Sequence, residues 1–336
     1  MKASSLKKSL IAMIDSKIPV FVWGSPGVGK SSLIRQIASD KSMEFIDLRL
    51  SLLDPTDLRG IPFFDAANKS AVWAKPEFLP DSNTQASGIL FLDEINSAPP
   101  TIQAAAYQLI LDRKIGEYTF PINYAIVAAG NYESDRGVTY RMPTPLANRF
   151  VHLNFDLDFT EWKSWAYESK IDRRIISFLS YKPQNLFTFD AKAKEKSFAT
   201  PRSWSFVNDI LNSNLQIDLL KDVISGAVGK ESADEFMNFC KVIDKLPNIE
   251  EIINAKSNEV PSNNSVLYAL CTGIVYSLKQ NSSVENVTNI LNYSLALPNE
   301  FSVMLIRDLQ KEGIDVESST SWKSWVNANK FLIGWY

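Results

Sequence analysis

The chain has 336 residues, of which 45% are hydrophobic and 22% are charged, enough apolar material for two domains of ordinary size. Lysine and arginine number 35 and aspartate and glutamate 38, and the net charge of −3 excludes an overall basic field that would draw the protein to nucleic acid. A single histidine and two cysteines exclude a disulfide framework and a zinc site, so we expect a cytoplasmic protein. The longest uncharged segment has its apolar part at residues 266–278, shorter than the ~20 residues that a membrane span requires.

Short apolar runs in the first half of the chain predict the strands of a parallel sheet. Each run is nearly continuously apolar, as expected for strands buried on both faces, and helical patterns separate the runs. This alternation predicts an α/β fold with a five-stranded parallel sheet that binds its ligand beyond the carboxyl ends of the strands. The predicted strands are residues 20–23, 44–48, 89–92, 125–129 and 150–153.

A phosphate-binding loop directly follows the first predicted strand. Residues 24–31 read Gly-Ser-Pro-Gly-Val-Gly-Lys-Ser and open a predicted helix at residues 32–38. Its glycines allow backbone N–H groups to converge on phosphate oxygens, the lysine reaches the β- and γ-phosphates, and the serine hydroxyl binds Mg²⁺. The candidate nucleotide-binding residues are Gly24, Ser25, Pro26, Gly27, Val28, Gly29, Lys30, Ser31 and Ser32.

Acidic and amide side chains follow two further strands. Asp93 and Glu94 end the third predicted strand, and Asn131 follows the fourth. We expect Asp93 to support Mg²⁺ together with Ser31, and Glu94 to accept a proton from the water that attacks the γ-phosphate. Asn131 is placed to hold that water or to contact the phosphate. No guanine-reading Asn-Lys-x-Asp run is present, so ATP is the expected nucleotide.

The remainder of the chain is predicted to be helical. Strand signals nearly vanish after residue 156, and residues 254–264 have the composition of a linker. We therefore predict a nucleotide-binding core at residues 1–156, an α-helical lid at 157–253 and a C-terminal helical extension at 254–336. His152, in the fifth predicted strand, is interpreted as a core histidine with satisfied ring nitrogens.

These motifs together resemble the AAA+ ATPases over residues 19–211, and the sub-pattern is similar to the MoxR family. The resemblance implies a hexameric ring, and a protein partner that in this family often carries a von Willebrand factor A domain. It also implies that Asn131 is the first sensor, Arg149 the arginine finger and Arg202, in the run Thr-Pro-Arg-Ser-Trp, the second sensor. Arg136 and Arg141 are alternatives for the finger. The chain departs from many relatives in carrying Ser203 and Trp204 after this arginine.

Two insertions fit the same resemblance. Residues 52–80 correspond to a helix-2 insertion, and residues 114–123 to a pre-sensor hairpin. In the first, Phe63, Phe64 and Trp73 either grip a substrate or pack on one another, and the sequence leaves both open.

The sequence thus predicts an Mg-ATP hydrolase that works at subunit interfaces and remodels a partner protein. One alternative is a nucleic-acid-stimulated motor or nuclease subunit, which the near-neutral charge does not favour. Another is a non-hydrolytic, nucleotide-gated assembly protein, which the full set of predicted hydrolytic residues does not favour.

Overall fold

The computed structural model describes residues 1–65, 70–115, 118–135, 140, 142–193, 195–213, 215–243, 246–280 and 282–333. These residues form two compact units. The first comprises residues 1–158 with 190–193, and the second comprises residues 159–189 with 194–336.

The first unit is an α/β structure. Its elements, in chain order, are α1 (Ala3–Asp15), β1 (Val20–Trp23), α2 (Lys30–Asp40), β2 (Glu44–Arg49), α3 (Pro55–Arg59), β3 (Ile61–Asp65), β4 (Ser70–Ala74), β5 (Gly88–Asp93), α4 (Pro100–Asp112), β6 (Lys114–Ile115), β7 (Tyr118–Thr119), β8 (Tyr124–Gly130), α5 (Thr144–Ala147) and β9 (Val151–Asn154).

Five strands form one parallel sheet in the order β2-β5-β8-β1-β9. This confirms the predicted α/β fold with a five-stranded parallel sheet. The central strands β8 and β5 are almost entirely buried, because their continuous apolar sequences suit strands covered on both faces. A second feature of the order is that β1, which leads into the phosphate loop, lies between β8 and β9.

Both edge strands differ from the prediction that all five strands are buried on both faces. In β2, only Ile46 and Leu48 are buried among the six residues. Strand β9 departs further from the prediction. It lies at the edge of the sheet and is largely exposed, including His152. The interpretation of His152 as a core residue was therefore wrong, although both of its ring nitrogens are hydrogen-bonded. The apolar residues beside it produced the same pattern as a buried strand.

The segment between β2 and β5 contains an antiparallel hairpin of β3 and β4. Its register places Phe64 and Trp73 on one face and Phe63 on the other. These aromatic side chains are 75%, 40% and 59% exposed, respectively. A second, shorter hairpin pairs β6 with β7.

The second unit is helical, and its described residues contain no strand. Its helices are α6 (Phe159–Glu168), α7 (Arg173–Tyr181), α8 (Pro201–Leu211), α9 (Ile217–Val228), α10 (Lys230–Ile243), α11 (Ile249–Ile253), α12 (Asn264–Gln280), α13 (Val284–Ser294), α14 (Asn299–Lys311) and α15 (Trp322–Ile333). None of the described helices has the length and hydropathy needed to cross a bilayer.

The core of this unit forms around helix α12, most of whose residues are buried and which packs on α7 and α14. Helices from both sides of residue 254 therefore share one compact unit. Trp204 is fully buried against Phe178 and Phe236, and its indole Nε1 donates to the Asn185 carbonyl at 2.8 Å. This packing explains why a large side chain follows Ser203 in this sequence.

The two cysteines differ in burial and should differ in reactivity. Cys271 lies in α12 with no exposed surface, and burial raises the pKa of its thiol to about 12, whereas Cys240 is half-buried. Because the thiolate is the reactive form, we expect iodoacetamide to label native protein at Cys240 and leave Cys271 unmodified. Peptide mass spectrometry before and after denaturation measures both sites. Labelling of both at equal rates in the native protein would contradict this packing of α12.

Candidate functional site

The predicted site residues of the first unit meet at one edge of the sheet. Strands β5, β8 and β1 are adjacent and parallel, so their carboxyl ends lie side by side. Asp93 ends β5, Asn131 follows β8 and Gly24 follows β1. The sheet order therefore brings the acidic pair, the amide and the phosphate loop together.

The phosphate loop depends on glycines with backbone angles that other residues rarely adopt. Gly27 has φ 77° and Gly29 has φ 102°, and Gly29 is the residue immediately before α2. Because α2 begins directly after this turn, the amino terminus of the helix lies next to the loop. Such a helix end favours the binding of a phosphate anion.

Lys30 begins α2 and connects the loop to the strand beside it. Its side-chain Nζ donates to the Gly24 carbonyl at 2.6 Å, the Ser25 carbonyl at 3.1 Å and the Asn131 Oδ1 at 3.0 Å. The residue is only 8% exposed, so these acceptors compensate for the loss of hydration of the ammonium. The ammonium is thereby held between the phosphate loop and the predicted sensor.

Ser31 and Asp93, the two predicted metal-binding residues, are in direct contact. The Ser31 hydroxyl donates to Asp93 Oδ2 at 3.1 Å. Burial raises the pKa of the Asp93 carboxyl, and the neighbouring Glu94 charge raises it further, while the bond from Ser31 opposes the shift. A hydroxyl and a carboxylate oxygen are hard donors of the kind that Mg²⁺ prefers, so the residues present fit this cation.

Glu94 has an unusual backbone and a hydrogen-bonded carboxylate. Its φ of 56° is in the left-handed region, which is uncommon for a residue with a side chain. The Ser51 hydroxyl donates to Glu94 Oε2 at 2.6 Å. Ser51 was not among the predicted site residues; it lies just after β2, the strand paired with β5. A polar side chain two positions after the end of a neighbouring strand was the signal that could have identified it.

A second site residue that was not predicted from the sequence is Asn96, which is hydrogen-bonded to the backbone at Asn131. Its Nδ2 donates to the Asn131 carbonyl at 2.8 Å, and the side chain is 1% exposed. A Cβ added to Gly130 would lie 2.2 Å from Asn96 Oδ1, so this close approach requires glycine. Asn96 thus fixes the path of the chain where β8 delivers Asn131 to the site.

The predicted arginines occupy different parts of the chain. Arg149 lies between α5 and β9, is exposed, and forms no ion pair among the described residues. Its two alternatives, Arg136 and Arg141, lie outside the described residues. Arg202 belongs to the second unit, where it is exposed in the first turn of α8. Thr200 and Ser203 form a capping box that fixes the start of this helix.

A phosphate loop on a parallel sheet, with a hydroxyl, two acids and an amide at the same edge, defines a nucleotide-hydrolysing P-loop protein. Residues 19–152 match the ATPase family associated with various cellular activities (AAA). This part of the chain is therefore an AAA-type ATPase domain, and its reaction is the hydrolysis of ATP.

Solved structures include several that are similar to this chain at low identity. The Thermotoga maritima RuvB Holliday junction branch migration motor is 20% identical, with 81% of each chain covered and a TM-score of 0.39. NtrX from Brucella abortus in complex with ADP is 15% identical, with 93% of this chain and 68% of that chain covered and a TM-score of 0.40. A Cytophaga hutchinsonii protein provisionally described as an ATPase is 15% identical over 97% of this chain and 88% of that one, with a TM-score of 0.35. No curated protein matches the chain significantly. Such low TM-scores transfer neither an activity nor a partner.

Replacement of Asp93 by Asn should separate stability from activity. The folded-state pKa of Asp93 lies above its ordinary value of 3.8, so this carboxyl loses its proton more readily in the unfolded protein. The free energy of unfolding therefore falls as the pH rises from the ordinary pKa through the folded-state pKa. We expect Asp93→Asn to unfold at a higher temperature than the parent at pH 8 without nucleotide, with the difference shrinking towards pH 4. We also expect ATP turnover to fall by about 100-fold, as for loss of a metal-supporting group. Thermal unfolding and phosphate release measure the two effects, and a variant less stable than the parent at pH 8 would contradict the stated cause of the pKa shift.

Proposed function

We propose that this chain is a MoxR-like AAA+ ATPase that hydrolyses Mg-ATP at the subunit interfaces of a hexameric ring and remodels a partner protein. The observation that carries the proposal is the convergence of Lys30, the Ser31–Asp93 pair and Glu94 at one sheet edge. The cytoplasm is the compartment we expect for it. A partner with a von Willebrand factor A domain is expected from the resemblance to MoxR proteins.

In this proposal each residue of the first unit has a distinct task. The loop N–H groups and Lys30 bind the phosphates, and Ser31 and Asp93 hold Mg²⁺, which would neutralise charge on the β- and γ-phosphates. Glu94 accepts a proton from the attacking water, while Asn131 orients that water or contacts the γ-phosphate. Arg202 in the helical lid is proposed to sense the same phosphates.

Arg149 is proposed to act on the nucleotide of the adjacent subunit. Its exposed guanidinium has no ion-pair partner among the described residues, so it is available to a phosphate outside its own unit. Arginine fingers are worth roughly 10³ to 10⁵ in rate, because they neutralise charge that develops in the transition state. An active ring then requires contributions from two subunits at each site.

The β3–β4 hairpin is proposed as a contact surface for the partner protein. Its exposed apolar residues include Ile61 and Phe63 on one face and Phe64 and Trp73 on the other. Exposed apolar surface of this kind is typical of protein–protein contacts.

Mixing two inactive variants tests the proposal directly. Glu94→Gln removes the base but keeps Arg149, whereas Arg149→Ala keeps the base but removes the finger, so each variant alone should retain less than about 1% of turnover. An equal mixture that forms mixed rings should recover about a quarter of the parent activity, the share of interfaces that pair an intact base with an intact finger. Steady-state phosphate release with sizing in Mg-ATP measures this.

The matched control is Arg173→Ala, which removes another exposed arginine, from α7 in the helical unit. It should retain turnover within about twofold, since surface substitutions usually have small effects. A mixture no more active than its components would exclude a finger that acts between subunits. Stimulation by DNA that falls steeply with salt would instead favour a nucleic-acid motor.

A further inference from the structure

His152 forms a bridge between two parts of the first unit that are distant in sequence. The Trp23 indole Nε1 donates to His152 Nδ1 at 2.9 Å. On the other side of the ring, His152 Nε2 lies 2.8 Å from the Ala147 carbonyl oxygen. The side chain is exposed on the edge strand β9, so burial alone does not account for its position.

These two partners select one form of the imidazole. An indole N–H only donates, so Nδ1 must be an unprotonated acceptor, and a carbonyl oxygen only accepts, so Nε2 must carry the proton. The neutral tautomer with hydrogen on Nε2 is therefore the one form that makes both hydrogen bonds. Because His152 is the single histidine of the chain, its signals can be observed without ambiguity.

On one side, the bridge reaches the nucleotide site. Trp23 is the last residue of β1 and is followed by Gly24 of the phosphate loop. The Trp23 ring also stacks on Tyr132, with 6.3 Å between ring centroids and an interplanar angle of 11°. Tyr132 directly follows Asn131, so Trp23 links the end of the strand that leads into the phosphate loop with the end of the strand that carries Asn131.

On the other side, the bridge reaches the segment that carries Arg149. Ala147 is the last residue of α5, two positions before Arg149. Helix α5 has only four residues, and a helix this short does not hold its own geometry without tertiary contacts. The hydrogen bond between His152 and the Ala147 carbonyl therefore restrains the end of α5 and the backbone that continues to Arg149.

We propose that His152 is a positioning residue that ties the Arg149 segment to the end of β1, through a neutral Nε2–H imidazole bridging Trp23 and Ala147. This inference rests on the proposed function, since Arg149 is taken to act on the adjacent subunit. The bridge sets how Arg149 is presented to the adjacent subunit.

Mixed rings separate this role from a general effect on folding. Donor subunits carry Glu94→Gln and supply Arg149, and acceptor subunits carry Arg149→Ala and supply the intact hydrolytic site. We expect His152→Phe in the donors to lower the recovered turnover by about tenfold, since misplacement of a catalytic group costs rate steeply. The same substitution in the acceptors should leave the recovered turnover within about twofold.

Two further donor variants test the same bridge with different substitutions, so the result does not depend on the effect of His152→Phe alone. Trp23→Phe in the donors removes the indole N–H from the opposite side of the bridge, and should reproduce the loss. His152→Gln retains an amide N–H that can reach the Ala147 carbonyl, and should restore part of the turnover. Unfolding temperatures and the extent of ring formation show whether each donor folds and assembles.

Equal losses in donors and acceptors would overturn the inference, because a purely structural role affects both sites alike. No loss in the donors would overturn it as well. If donors with His152 intact fail to restore turnover to the acceptors, the action of Arg149 between subunits is overturned, and this inference falls with the proposed function.

The tautomer provides a measurement that does not require the ring. Nitrogen-15 spectra of histidine-labelled protein without nucleotide at pH 8 should show hydrogen on Nε2 and a non-protonated Nδ1. Trp23→Phe should shift the Nδ1 signal. Hydrogen on Nδ1, or rapid averaging of both tautomers, would overturn the bridge itself.

Discussion

The nucleotide site depends on the satisfaction of one buried ammonium. Lys30 has little contact with solvent, and its charge is compensated by two carbonyls of the phosphate loop and the Asn131 side chain. Removing a charge from water is costly unless hydrogen bonds replace hydration. This requirement couples the conformation of the loop to the strand that carries Asn131, so the two cannot move independently without leaving the ammonium unpaired.

The charge of Asp93, unlike that of Lys30, is not fully compensated by the fold. Asp93 lies where burial and Glu94 both disfavour its charge, which raises its pKa in the folded protein. A cation bound by Ser31 and Asp93 would reverse this electrostatic cost. The raised pKa means that the ionised Asp93 destabilises the fold when no cation is present, and the proposed binding of Mg-ATP would offset this cost.

Contacts beneath the site extend this arrangement towards the surface. Asn96 holds the chain at Asn131 from one side, and the stacked Trp23 and Tyr132 rings join the ends of β1 and β8 from another. His152 continues this set of contacts to α5. The segment that bears Arg149 is therefore connected by these contacts to residues next to the phosphate loop. In the proposed ring, they would provide a physical route for coupling between subunits.

The sequence alone determined those features of the protein whose residues are close together along the chain. The phosphate loop is a contiguous motif, and Asp93, Glu94 and Asn131 each follow a strongly apolar strand, so the parallel alternation was enough to predict their common edge. Ser51, Asn96 and the bridge at His152 were decided by tertiary structure. Trp23 and His152 are 129 positions apart, and only the sheet order makes them neighbours. The same order places β9 at an exposed edge although its apolar pattern resembles a buried strand, because periodicity reports which side chains are apolar but not which strands lie beside them.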